Sequence, residues 1–167
     1  MSERKLVAVF IDFENFYYAL TNLYGLSYEQ ASGSALSMIG NSLDSLRGDL
    51  GEFVIMQAYA DWSDLDEPKT ELQKMGIRVF DVLSSIHKSS TDLELSLALQ
   101  EILLTRDDIN TIIIFSGDRD YMPIALRIRE RGKLVHFVGF PENLSGDLKK
   151  TCWRIELSLS RQKLFSH

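Results

Sequence analysis

The sequence lacks most of the chemistry that enzymes build on sulfur, imidazole and phosphate-binding loops. One cysteine, Cys152, excludes an internal disulfide and a cysteine-based zinc site. A lone thiol, read as a small buried apolar residue, fits a reducing cytoplasm, the expected location. The three histidines, His87, His136 and His167, lie far apart, and His136 falls inside a strand-like run where packing accounts for it. No G-x-x-x-x-G-K-[ST] loop is present, and no G-x-G-x-x-G follows the first apolar run. Nucleoside-triphosphate and dinucleotide binding are therefore unsupported. A G-x-S-x-G nucleophile elbow is also missing. A haloacid-dehalogenase-type phosphatase needs D-x-D after its first strand, and this chain has "IDFEN" instead. No apolar run reaches membrane-spanning length, so no membrane association is expected. The start, "MSERKLVAVFIDFEN", breaks at Asp12 without a small-residue cleavage site, so no secretory leader is expected.

What remains is a chain of 167 residues, 45% hydrophobic and 25% charged, which fits one domain over 1–167 with a sizeable core. The net charge of −6 is unevenly spread. Residues 1–118 carry 8 Lys/Arg against 19 Asp/Glu, and residues 119–167 carry 10 against 5. An acidic part can hold cations and a basic part can meet a polyanion, although solvated basic helix faces explain the second half equally well.

Apolar runs alternate with helical spacing. "KLVAVFID" (5–12) reads as a central strand buried on both faces. Residues 52–60, 77–83, 110–116 and 134–140 read as further strands, with 153–158 as a short edge strand. Between them lie helical patterns at 13–25, 34–48, 66–76, 91–104 and 120–132. The alternation predicts a three-layer α/β/α doubly wound, mostly parallel sheet of about five strands. In such sheets ligands bind beyond the carboxyl ends of the strands, near a switch in strand order.

Acids cluster at those ends. Asp12 closes the first strand, and Asp118 and Asp120 follow the fourth within "IIIFSGDRDYMP". Asp92 opens the helix that leads into the fourth strand. Asp12 and Asp118 meet only if the first and fourth strands are neighbours. Each acid has a plain structural explanation. Asp118 or Asp120 can cap the helix containing Pro123, Asp92 can face a helix dipole, and Thr91-x-x-Glu94 fits a capping box. Capping does not ask for two acids within three residues, nor for an Asp closing the first strand. Several carboxylates at one sheet edge repel each other, and a hard divalent cation, Mg²⁺ or Mn²⁺, is the usual compensation.

The segments "VFIDFENF", "STDLELSLALQEIL" and "IIIFSGDRDYMPIALRIRERGKLVHFVGF" together resemble the NYN domain family. That family belongs to the PIN-like nucleases and includes the bacterial LabA-like proteins. The resemblance covers about residues 5–157, and S-G-D-x-D-[FY] before a helix ending in G-K is its most specific piece. It implies a PIN-like fold and a metal-dependent ribonuclease site. Asp12, Asp92, Asp118 and Asp120 would form the acidic cluster, Asn15 would steady the first loop, and Ser116 would orient the loop after the fourth strand. One position departs: the family often carries another acid one to two turns beyond Asp92, where Ala98 stands.

The implied activity is Mg²⁺- or Mn²⁺-dependent endoribonucleolytic hydrolysis of single-stranded RNA, with Lys88 and Arg119 as candidate phosphate contacts. A solvated surface arginine is the plain alternative for Arg119. Two other functions stay open: a non-catalytic RNA-binding or regulatory domain of the same fold, and a metal-dependent phosphatase acting on a small ester.

Overall fold

The computed structural model describes residues 3–83, 90–151 and 153–156. Its strands are β1 (Leu6–Asp12), β2 (Glu52–Ala60), β3 (Arg78–Asp81), β4 (Ile109–Phe115), β5 (Leu134–Gly139) and β6 (Trp153–Glu156). They form one six-stranded sheet in the order β3-β2-β1-β4-β5-β6, parallel at every pairing. The sheet is thus wholly parallel, and the short edge segment adds a sixth strand to the expected five.

Side chains alternate across the pleat, so each central strand feeds two cores. Val7, Val9, Ile11, Ile113 and Phe115 point into one core, which is closed by α1 (Phe13–Tyr24), α2 (Tyr28–Leu50) and α3 (Asp66–Lys74). Ala8, Phe10, Ile112 and Ile114 point into the other, which is closed by α4 (Thr91–Thr105), α5 (Met122–Glu130) and α6 (Gly146–Thr151). Two-faced burial explains why β1 and β4 read as continuous apolar runs rather than alternating ones.

Local signals set most of the helix ends. Gly25 adopts φ 64° and stops α1, a left-handed position that suits glycine. Helix α2 begins six residues before the expected start. Ser27 and Gln30 form a reciprocal capping box that the apolar spacing did not reveal. At α4 the expected Thr91/Glu94 capping box is absent. Ser90 is the N-cap without a side-chain hydrogen bond, and the Thr91 hydroxyl donates instead to Glu14. The lysine of the G-K pair, Lys133, is buried, and its Nζ donates to the carbonyls of Arg106, Asp107 and Ile109. That ammonium fastens the start of β4, at the end of the strand opposite the acids.

The chain runs from β1 through α1 and α2 to β2 on one side, while β4 lies against β1 on the other. The carboxyl ends of β1 and β4 therefore flank the point where strand order reverses, as the site argument requires.

Candidate active site

Asp12 is the last residue of β1 and also the N-cap of α1. Its Oδ1 accepts the Asn15 N–H at 3.1 Å and its Oδ2 accepts the Tyr121 hydroxyl at 2.8 Å. Capping was not expected of an Asp that closes the first strand, and Asp12 nonetheless caps α1. A strand running straight into a helix makes its last residue the cap. The carboxylate is 5% exposed. Burial pushes its pKa from 3.8 up to about 7, against the lowering effect of the Asn15 amide and the Tyr121 hydroxyl. The charges of Glu14 and Asp118 push the same way but less. Desolvation, rather than repulsion within the cluster, is the main cause.

Asp118 follows β4 through Ser116 and Gly117 and caps the 3₁₀ turn Arg119–Tyr121. Its Oδ1 accepts the Asp120 N–H at 2.9 Å, and its own N–H donates to the buried Ser116 hydroxyl at 3.1 Å. Asn15 ties this turn to α1. Its Oδ1 accepts both the Gly117 N–H at 3.1 Å and the Asn143 side-chain amide at 3.2 Å. The approach at Gly117 leaves no space for a side chain, because a Cβ there would lie 2.4 Å from the Asn143 carbonyl oxygen. The glycine of S-G-D is therefore fixed by the 140–145 loop crossing above it.

Glu14 joins the cleft from the other side. Its Oε1 accepts the Asp61 N–H at 2.7 Å and its Oε2 accepts the Thr91 hydroxyl at 3.0 Å. One carboxylate thus straps the end of β2 and the start of α4 to α1, and it places Asp92 beside the β1 terminus.

Asp12, Asp92, Asp118 and Asp120 all line one cavity of about 420 Å³, together with Glu14, Asn15, Tyr18, Thr91 and Asn143. A second groove of about 630 Å³ between α4 and α5 continues from Asp92 and Asp120 past Ser96, Gln100 and Arg127. Arg119 is exposed on the turn and lines neither. Lys88 and Cys152 lie outside the described residues. Ala98 packs against the core, and the side chain one turn beyond Asp92 that reaches the groove is Ser96. Two aromatic residues near the site are structural: Trp62 donates its indole N–H to the Phe80 carbonyl, and Tyr121 is fully buried against Asp12. Asn143, Glu14 and Thr91 were not foreseen. Glu14 is adjacent to the motif but reads as an ordinary first-turn acid, and nothing in "PENLSG" signals Asn143.

The donors at this edge are all oxygen, which suits Mg²⁺ or Mn²⁺ rather than a softer ion. No cationic side chain among the described residues compensates Asp12. As they stand, however, no three His, Cys, Asp or Glu side chains among the described residues converge closely enough to grip an ion. Asp12 and Asp118 have oxygens turned toward backbone amides and a hydroxyl. The donor set fits in kind.

A parallel α/β sheet with carboxylates gathered where its strand order reverses defines a class of acidic-centre α/β proteins. The NYN domain model matches residues 6–157, and the chain belongs to that family. Membership carries a PIN-like nuclease fold. A crystal structure of a Vibrio parahaemolyticus protein of unknown function is similar in fold. Its TM-score is 0.72 at 19% identity, over 95% of this chain and 96% of that one. No match was found among curated proteins. No helix among the described residues is long and apolar enough to cross a membrane.

Proposed function

We propose that the protein is a metal-dependent endoribonuclease that hydrolyses phosphodiester bonds of single-stranded RNA. The supporting observation is that Asp12, Asp92, Asp118 and Asp120 line a single cavity at the reversal of strand order, within a chain of the NYN family. Asp12 and Asp118 are the residues to hold a Mg²⁺ or Mn²⁺ ion, with Asp92 and Asp120 completing the site directly or through water. When bound, such an ion supplies Lewis acidity, activating water and offsetting phosphate charge.

The chain's own groups do the rest. Tyr121 keeps its proton, because burial and then the Asp12 charge push its pKa far up. It therefore donates to Asp12 and holds one oxygen of that carboxylate. Asn15 and Ser116 hold the turn that carries Asp118. Glu14 holds Asp92 against the cavity through Thr91. With water as the attacking group, the 2′-hydroxyl takes no part and no 2′,3′-cyclic phosphate forms. Departure of the 3′ oxygen leaves 5′-phosphate and 3′-hydroxyl ends, and departure of the 5′ oxygen leaves 3′-phosphate and 5′-hydroxyl ends.

The test is end-group analysis of labelled single-stranded RNA incubated with Mn²⁺, with and without chelator. Chelator-sensitive cleavage whose products carry no 2′,3′-cyclic phosphate supports the reading. Cyclic-phosphate ends, or cleavage that persists in chelator, overturn it. A non-catalytic RNA-binding role is favoured by one observation, the lack of a ready three-carboxylate grip among the described residues. It predicts RNA binding without turnover at any Mn²⁺ concentration.

A further inference from the structure

Helix α1 presents two adjacent tyrosines with opposite fates. Tyr17 is 5% exposed, whereas Tyr18 is 51% exposed and lines the cavity that holds Asp12. Tyr28, the first residue of α2, is 73% exposed. The rings form a continuous column. Phe13 packs on Trp62 at 5.2 Å, Tyr17 stacks on Phe13 at 6.2 Å, and Tyr28 stacks on Tyr17 at 6.0 Å with planes only 13° apart. Tyr18 meets Tyr17 edge-on at 5.3 Å. Phe13 and Trp62 are fully buried, so the outer rings rest on a rigid aromatic base.

Helix packing accounts for Tyr17 but not for its neighbours. A ring left largely in water adds little to the core. The charged side chains acting on Tyr18 are Glu14, Asp61 and Asp64, all acidic. These charges give the phosphates of a polyanion no partner at Tyr18 itself. A nucleic acid can be held through its bases, because stacking does not depend on charge and every base has a π-face.

We propose that Tyr18 and Tyr28 form a stacking platform for unpaired nucleobases of an RNA strand entering the acidic cavity. The proposal rests on the nuclease reading for the identity of the strand. The parallel Tyr17–Tyr28 pair leaves the outer face of Tyr28 in position to extend the stack by one base, and Tyr18 offers a second contact beside the aspartates. In a duplex the base faces are already covered, so the platform selects single strands. Since no phosphate contact is involved, the affinity it adds is insensitive to salt.

The experiment measures fluorescence anisotropy of a labelled single-stranded RNA decamer, and of its duplex, in chelator across a salt series. The proteins are wild type, the double variant Tyr18→Leu/Tyr28→Leu, and Tyr18→Phe/Tyr28→Phe. Thermal melting of each establishes an intact fold. The expected result is at least tenfold weaker single-strand binding by the leucine variant, an unchanged salt slope, and near-wild-type binding by the phenylalanine variant. Leucine-variant binding equal to wild type overturns the platform, as does a loss accompanied by a shallower salt slope. Failure of wild type to bind single-stranded RNA at all, which would leave the surface to a protein partner, overturns it too. Metal-dependent cleavage by wild type is followed in parallel. Cleavage with no effect of the leucines removes the platform and keeps the nuclease. Tyrosine-dependent binding without cleavage removes the nuclease and keeps the platform.

Discussion

The Tyr121 hydroxyl donates to the Asp12 carboxylate at 2.8 Å, between two residues 109 positions apart in the chain and both buried. This bond links the turn after β4 to the end of β1. It also lowers the Asp12 pKa against the upward push of burial. Tyr121→Phe keeps the ring and deletes the donor. The Asp12 pKa should then rise further above about 7. If the ionised carboxylate is the active form, the acid limb of the pH–rate profile for RNA cleavage moves to higher pH. A profile that superimposes on wild type would show that the bond serves stability alone.

Asp12 itself should make stability depend on pH. Its folded-state pKa, about 7, lies above its ordinary 3.8. Between these values the folded chain holds a proton that the unfolded chain releases, so stability falls as pH rises. The penalty is absent below about pH 4, grows up to about pH 7, and is complete above it. The shift corresponds to on the order of 4 kcal/mol. Asp12→Asn removes the titration. Its melting temperature relative to wild type should therefore climb steadily from pH 4.5 to pH 8 in metal-free buffer. A constant difference across that range would remove the raised pKa.

At Asp118 the proposed catalytic role can be told apart from the capping that the structure shows. Asparagine is a good cap, so Asp118→Asn should retain the bond from the Asp120 N–H and leave the melting temperature near wild type. Metal-dependent cleavage should fall by orders of magnitude. Asp118→Ala should lose both, with about 1 kcal/mol of stability lost with the cap. An asparagine variant that cleaves RNA as wild type does would take Asp118 out of the metal site.

Gly117→Ala tests the crossing loop. The added carbon meets the Asn143 backbone at 2.4 Å, and backbone cannot swing aside as a side-chain tip can. The 140–145 segment must shift, and the bonds joining Asn15 to Gly117 and Asn143 should break. Overpacking of this kind costs about 1–3 kcal/mol. Cleavage should drop as well, because Asp118 is carried on the displaced turn. The paired measurement is melting temperature and initial cleavage rate, and a variant unaffected in both would refute the clash.

The layered sheet was legible because burial on both faces makes β1 and β4 continuously apolar, and because the acids made sense only with those strands adjacent. That Asp12, Asp118 and Asp120 meet at one edge was legible because they follow strands, and strand ends are where such sheets bind ligands. Asp92 opens a helix and was grouped with them by the family resemblance. Of the clamp around them the resemblance supplied Asn15 and Ser116, but not Asn143 or the Glu14–Thr91 bond. Asn15 and Asn143 are 128 positions apart, and a polar loop residue looks the same whether it meets solvent or a partner. Thr91 misled for a related reason. Its spacing to Glu94 satisfies a local capping rule, but Glu14, 77 positions away, captures its hydroxyl first. The early start of α2 needed Ser27 and Gln30 to be read as a pair ahead of the apolar pattern. Asp12 looked like an acid without a structural job, because a strand that turns directly into a helix has no separate capping residue.

The crossing of Asn143 over Gly117 has a consequence for how the protein is made. Synthesis runs from the amino end, and all four aspartates exist once Asp120 has been added. The loop that pins the Asp118 turn to α1 comes later, after α5 and β5. A nascent chain therefore carries the acids for some time before it can lock them in place. If the site cuts RNA, it stays unassembled while the chain is still close to its own messenger and the ribosomal RNA.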